Sequence, residues 1–219
     1  MNLLLIDTCG PEGSIALARI EGITRQILGE ERLPGKTYSA DLVTKISALL
    51  VVHQLAVADL SAIAVLNGPG SFTGIRIGVA VAKALAEASG KPLLALSRLR
   101  VLAHKAGTTA AALDAHRKEI FYGRYDPIPQ ESLTTAEALL GQTGPPQVLA
   151  VCEEATVNAL EDSAILLVEV LPPTAADALP LALEDFQRQQ FADVAALDAN
   201  YLRRSDAEIH TTPYLAQKP

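Results

Sequence analysis

Short apolar runs alternate with longer segments of helical period along the first hundred residues. Leu3-Leu4-Leu5-Ile6 predicts a buried strand that ends at Asp7, and turn residues follow from Thr8 to Gly13. Ser14 to Ile20 and Ile23 to Glu31 predict two more strands, joined through Glu21-Gly22 at a hairpin position. Pro34-Gly35 breaks the pattern, and Ser39 to Gln54 has helical periodicity. Ala62 to Leu66 predicts a strand and Thr73 to Ser89 a helix, stopped by Gly90 with Pro92 beyond. Leu93 to Leu96 predicts a further strand, with a helix opening at Ser97. The expected order is β-β-β-α-β-α-β-α.

A second unit is expected from Gly107. Ala110 to Ala115 and Glu119 to Asp126 read as strands around a turn at His116-Arg117-Lys118. Pro127 to Pro129 and Gly141 to Pro146 read as loops. Val148 to Cys152 and Ile165 to Val168 read as short parallel strands with a helix between them, and Thr174 to Gln190 as a helix. From Ser205 the chain is polar, contains Pro213 and reads as a mobile tail. The expected division is 1–106, 107–204 and 205–219. The sequence shows no internal repeat.

The two long helices carry unusually little charge. In the Thr73–Ser89 helix, Arg76, Lys83 and Glu87 fall in a band of roughly 40° at 100° per residue. Ile75, Val79 and Ala86 flank it on one side, Ile77, Val81 and Ala84 on the other, and Gly74, Gly78 and Leu85 lie opposite. In the Ser39–Gln54 helix, Asp41, Thr44 and Lys45 form the polar stripe, and Leu42, Val43, Ile46, Leu49 and Leu50 cover the rest. Leaving such side chains wet forgoes roughly 1.5–3 kcal/mol each. Either the helices pack on the sheet and on each other, or their outer faces meet a second chain. The pattern favours a contact surface.

Composition narrows the field. The 219 residues are 49% apolar with no Trp, five Tyr and four Phe, so the core is built from Leu, Ala, Val and Ile. No apolar run reaches the ~18 residues of a membrane span, and no basic segment precedes the first strand. Cys9 and Cys152 are expected as two free thiols. A net charge of −7 argues against direct binding of nucleic acid. The basic clusters Arg98, Arg100, His104, Lys105 and Arg203, Arg204 are small enough to be solvated faces.

The run Asn67-Gly68-Pro69-Gly70-Ser71-Phe72-Thr73-Gly74-Ile75-Arg76-Ile77-Gly78 joins a strand to a helix N-terminus. It is neither a Walker A loop nor a dinucleotide fingerprint, since Gly68, Gly70 and Gly74 are spaced G-x-G-x-x-x-G. Helix N-terminal amides can still hold an anion. Asp7, Thr8, Gly68, Gly70 and Ser71 are the candidates for such a nucleotide or anion contact. The loop by itself favours the plainer reading, a tight connection with Ser71 or Thr73 as N-cap. No G-x-S-x-G surrounds Ser71, so it is not expected to be a nucleophile.

Four segments carry a resemblance: Leu4-Leu5-Ile6-Asp7-Thr8, the glycine-rich run above, Asp114-Ala115-His116-Arg117-Lys118-Glu119-Ile120-Phe121-Tyr122, and Tyr201-Leu202-Arg203. Together they resemble the bacterial TsaB (YeaZ) family, glycoprotease-like proteins of tRNA threonylcarbamoyladenosine biosynthesis. The resemblance is strong over residues 1 to 125, thin over 126 to 197, and returns at 198 to 204. It implies an α/β fold of ASKHA type (actin/Hsp70-like, RNase H-like), in two subdomains with mixed sheets flanked by helices. It implies a cytoplasmic, non-catalytic partner of TsaD, the subunit that transfers threonylcarbamoyl to adenosine 37 of tRNA. TsaE is a further expected partner, a homodimer is expected of the isolated chain, and tRNA is met only indirectly. The family associates through the helices that correspond to Ser39–Gln54 and Thr73–Ser89. The expected contact residues are therefore Ser39, Leu42, Val43, Ile46, Leu50, Ile75, Gly78, Val79, Ala82 and Lys83. The chain departs from the family in having Tyr38 where His is frequent and Ala199 where Pro is common.

Two other classes compete. A glycoprotease-like metallopeptidase needs histidines that can share a metal, and no two of His53, His104, His116 and His210 stand at i, i+4. No metal site is expected. An ASKHA-type ATPase or small-molecule kinase would use Asp7-Thr8, but Cys9-Gly10-Pro11-Glu12 follows and Glu12 adds negative charge. No cofactor is expected of the chain alone, and weak or shared contact with ATP or ADP and magnesium is left open.

Overall fold

The computed structural model describes residues 1–142 and 144–203. Strands β1 (Asn2–Asp7), β2 (Glu12–Glu21), β3 (Thr24–Pro34), β4 (Ala62–Leu66) and β5 (Leu93–Leu96) form one sheet in the order β3-β2-β1-β4-β5. β1, β2 and β3 are an antiparallel meander, while β1, β4 and β5 run parallel. Leu3, Leu4, Leu5 and Ile6 are all fully buried. Successive strand side chains point to opposite faces, so the sheet is covered on both sides.

Helix α1 (Tyr38–Val52) precedes β4 and helix α2 (Phe72–Ser89) follows it. α1 buries Tyr38, Leu42, Ile46, Leu49 and Leu50, the i, i+4, i+8, i+11, i+12 stripe of a helix lying on a sheet. α2 buries Gly74, Ile75, Gly78, Val79, Ala82 and Ala86. Gly90 ends it in the left-handed conformation, φ 63°, with its N–H on Ala86 and Glu87 carbonyls.

Helix α3 (Arg98–Lys105) leads to a second sheet of β6 (Ala110–Asp114), β7 (Glu119–Arg124), β8 (Gln130–Thr135), β9 (Val148–Val151) and β10 (Leu166–Glu169), in the order β10-β9-β6-β7-β8. The first strand is again central, with an antiparallel meander on one side and parallel strands on the other. The topology of the first sheet is thus duplicated, although the sequence shows no repeat. Short helices α4 (Ala136–Leu140) and α5 (Glu154–Leu160) fill the connections. β8 follows the loop read over Pro127 to Pro129, in a stretch for which the sequence predicted no element.

Helix α6 (Leu179–Gln187) is shorter than the expected Thr174–Gln190 helix and is preceded by a 3-10 turn over Ala176–Ala178. It does not stay with the second sheet. Ala175, Ala178, Leu179, Leu181, Ala182, Leu183 and Ala199 are buried in the core of the first. The expected unit 107–204 therefore contains a segment that returns to pack with residues 1–106. The expected tail, Arg204 and His210 lie outside the described residues.

Candidate functional site

The outer helix surface differs from its expected composition. Leu42, Ile46, Leu50, Ile75, Gly78, Val79 and Ala82 face the chain's own core and are covered by it. The sheet needs one apolar stripe from each helix, and these residues supply it. Ile77, Val81 and Leu85 are partly buried beside the same core. Ser39 and Val43 point outward, and Val43, Val51 and Val52 are 57%, 70% and 73% exposed on α1. Lys83 is half-buried and donates to the carbonyls of Ala195 (3.2 Å) and Leu197 (2.8 Å).

The second place is a cleft of about 910 Å³ where the ends of β1, α2 and α3 meet the β6–β7 turn and residues 200–203. Glycines let the first sheet approach α2. A Cβ on Gly74 would collide with the Thr8 carbonyl, and one on Gly78 with the Thr8 hydroxyl. Thr8 Oγ1 donates to the Gly74 carbonyl at 2.7 Å, and Ser71 N to the Cys9 carbonyl at 2.7 Å. Ser71 caps α2, its Oγ accepting from Gly74 N at 3.3 Å. Tyr38 donates its hydroxyl to the Gly10 carbonyl at 2.8 Å. Close packing accounts for the glycine-rich run.

Of the candidate anion residues, Gly70 and Ser71 line the cleft. Asp7, Thr8 and Gly68 are buried behind it. Asp7 Oδ1 accepts the Cys9 N–H at 2.8 Å. Its Oδ2 faces Arg98 Nε at 3.9 Å, and neither atom has a hydrogen-bond partner among the described residues. Burial raises the Asp7 pKa above the usual carboxylate value, and the nearby Arg98 charge opposes that rise. Burial, the largest single influence, works against the charge on Arg98, but Asp7 together with Cys9, Glu153 and Cys152 outweighs it and the guanidinium pKa is raised. A guanidinium therefore stands where a divalent cation would have to meet this carboxylate, so Asp7 does not fit a magnesium ligand here. Among the described residues no group of three or more His, Cys, Asp or Glu is placed to hold a metal.

Arg98 was expected on a solvated basic face and is 3% exposed. A cation in the first turn of a helix opposes the helix dipole, which was the one sequence signal that it needs a partner. Arg100 and Lys105 are not free either: Arg100 forks onto Asp185 (2.8 and 3.1 Å), and Lys105 meets Asp177 at 2.7 Å. Across the cleft, Asp114 holds His116 through its backbone N–H (2.8 Å) and its Nδ1 (2.9 Å). His116, Arg117 and Lys118 all have positive φ, from 55° to 63°, which marks a strained turn. Glu153 accepts the Asp114 N–H, and burial raises its pKa.

Residues 200–203 strap the cleft. Asn200 donates its backbone N–H to Asn67 (2.7 Å) on one side and its side-chain amide to Glu131 (2.6 Å) on the other. The Tyr201 ring packs 4.9 Å from Phe72, Arg76 Nε donates to its hydroxyl at 2.6 Å, and Arg203 pairs with Glu119.

These features can be set beside known proteins. The TsaD family profile, tRNA N6-adenosine threonylcarbamoyltransferase, matches residues 32–158, more than half of the chain. The tRNA threonylcarbamoyladenosine biosynthesis protein TsaB of Bacillus subtilis is 30% identical, over 95% of this chain and 96% of the relative. That of Escherichia coli is 27% identical over 94% and 96%. The solved structure of YeaZ from Pseudomonas aeruginosa superposes with a TM-score of 0.74 at 26% identity, over 92% of this chain and 99% of that one. The duplicated sheets and the profile define a TsaD-like protein of ASKHA type. Within that class the chain belongs to the TsaB (YeaZ) family.

Proposed function

We propose that this chain serves tRNA threonylcarbamoyladenosine biosynthesis as a non-catalytic subunit that binds TsaD, which transfers threonylcarbamoyl to adenosine 37 of tRNA. In this reading the chain supplies no catalytic residue. It covers a helix face of TsaD with its own α1–α2 face, and the isolated chain pairs with itself through the same surface. TsaE joins the complex, nucleotide is shared at a subunit junction if it is used, and tRNA is held by the partners. The complex works in the cytoplasm. No helix among the described residues is long and apolar enough to cross a membrane.

The observation that carries the reading is the apolar outer side of α1. Val43, Val51 and Val52 stay exposed on a helix whose other side is fully packed. Apolar side chains left exposed on a helix offer a partner area that gains by leaving water. Val43→Glu tests it, because the charge is harmless in water and costly when trapped unpaired in an interface. Val79→Glu is not a usable test, since Val79 is 6% exposed and the charge would enter the chain's own core. The variant Val43→Glu is expected to keep the circular dichroism spectrum of the parent and to lose at least tenfold in affinity for TsaD in a pull-down titration. A folded variant that binds TsaD as the parent does refutes this surface.

A further inference from the structure

We propose that the free edge of β10 pairs antiparallel with β10 of a second copy of this chain, joining their second sheets into one. The two sheets end in four edge strands, β3, β5, β8 and β10. An open edge is a template for another strand unless something blunts it. β3 carries Arg25, Glu30, Glu31 and Arg32, with a register shift opposite Leu17 and Ala18. β8 is polar apart from Leu133. β5 is covered, its Leu93 carbonyl accepting the Ala192 N–H at 2.8 Å. β10 has none of these devices among the described residues. The run Ile165-Leu166-Leu167-Val168-Glu169-Val170-Leu171 holds one charge and no Pro, and Leu166 and Leu171 are 64% and 78% exposed.

The backbone supplies a second, independent observation. Leu166 N donates to the Gln147 carbonyl at 2.9 Å and Val170 N to the Val151 carbonyl at 3.0 Å. Residues 166, 168 and 170 therefore turn their N–H and C=O groups toward β9, and Leu167 and Glu169 turn theirs to the open edge. Those groups meet no partner among the described residues. The strand is self-complementary about Val168, which is why the occupant is a second copy. In that register Leu167 and Glu169 of one copy exchange both hydrogen bonds with Glu169 and Leu167 of the other. On one face Val168 meets Val168, and Leu166 meets Val170. A two-fold at Leu167 would need the Ile165 N–H, which Ser163 Oγ already accepts at 3.3 Å. A two-fold at Glu169 would set two carboxylates face to face. Strands this short bury little area, so the association belongs to the weak class.

The test is sedimentation velocity of the full-length Val43→Glu protein over a concentration series. That background disables the α1 contact, so each surface can fail without the other. Self-association is expected to persist in it. Leu166→Lys places a charge on an exposed position of the edge, and Glu169→Pro removes an outward N–H without costing an internal hydrogen bond. Each is expected to keep the parent's circular dichroism and to weaken the dimer at least tenfold. The register has its own readout, taken with Cys152 replaced by alanine. Val168→Cys puts two thiols across a non-hydrogen-bonded pair, with Cα atoms about 4.5 Å apart, and is expected to form an intermolecular disulfide on mild oxidation. Glu169→Cys puts them on a diagonal of about 7–8 Å and is expected not to. A Val43→Glu protein that stays monomeric at every concentration overturns the proposal, whether water or residues 204–219 cover the edge. So does a dimer unchanged by folded Leu166→Lys or Glu169→Pro, and so does cross-linking at residue 169 rather than 168. If neither edge variant folds, the absence of a disulfide in Val168→Cys overturns it.

Discussion

Glu153 begins the connection after β9 and accepts a hydrogen bond from the Asp114 backbone at the end of β6. Burial raises its pKa above the ordinary glutamate value of 4.5, against the opposing pull of that N–H and of Arg98. The folded state then keeps its proton to higher pH than the unfolded chain does. Stability contributed by this group is present at low pH and falls as pH rises from about 4.5 through the raised value. Glu153→Gln keeps the acceptor and removes the titration. Urea denaturation at pH 4 and pH 7 is expected to show the variant gaining on the parent as pH rises; a constant or shrinking difference contradicts the assignment. At this scale the sequence was partly legible. Ser71 and Ser97 were readable as helix starts because capping is local chemistry, and both accept the expected N–H. Arg98 was not, because its burial depends on a carboxylate 91 positions away in the chain, at the end of β1.

The elements follow their local patterns where those patterns are strong. The apolar runs of β1, β4 and β5 and the hairpin at Glu21-Gly22 formed as expected, Gly22 taking φ 60°. β8 did not declare itself because Gln130–Thr135 is a polar edge strand with only partial burial. The sequence of α2 showed apolar residues nearly all round, and periodicity could not say which side meets the sheet. The packing decides it through Gly74 and Gly78, which press against Thr8. Gly78→Ala gains helix propensity but forces its methyl onto the Thr8 side chain, and the misfit is expected to cost about 1–3 kcal/mol. Thr8→Ala removes the opposing hydroxyl. Chemical denaturation of both single variants and the double is expected to show strong non-additivity, the double recovering much of the Gly78→Ala loss. Additive losses would mean that the two side chains do not meet.

Two sheets of equal topology join through α3 and the returning segment that carries α6. Val101 of α3 packs in the first core, while Leu99, Leu102 and Ala103 pack with the second sheet. Arg100 on the same helix holds Asp185 of α6 bidentately. The side chain of Asp185 is 7% exposed and that of Arg100 28%. Truncating the arginine therefore strands a buried carboxylate rather than merely losing a surface pair. Arg100→Met is expected to cost about 3–5 kcal/mol. For a chain of this size that is a fall of roughly 6–20 °C in Tm. Because α3 belongs to both cores, the loss is expected to lower one shared transition, seen equally by far-UV circular dichroism and by tyrosine fluorescence. Arg100→Met combined with Asp185→Leu removes both charges and is expected to recover most of the loss. If Arg100→Met instead splits the melt in two, with one sheet unchanged, the arginine anchors α6 alone and the two halves fold independently of each other.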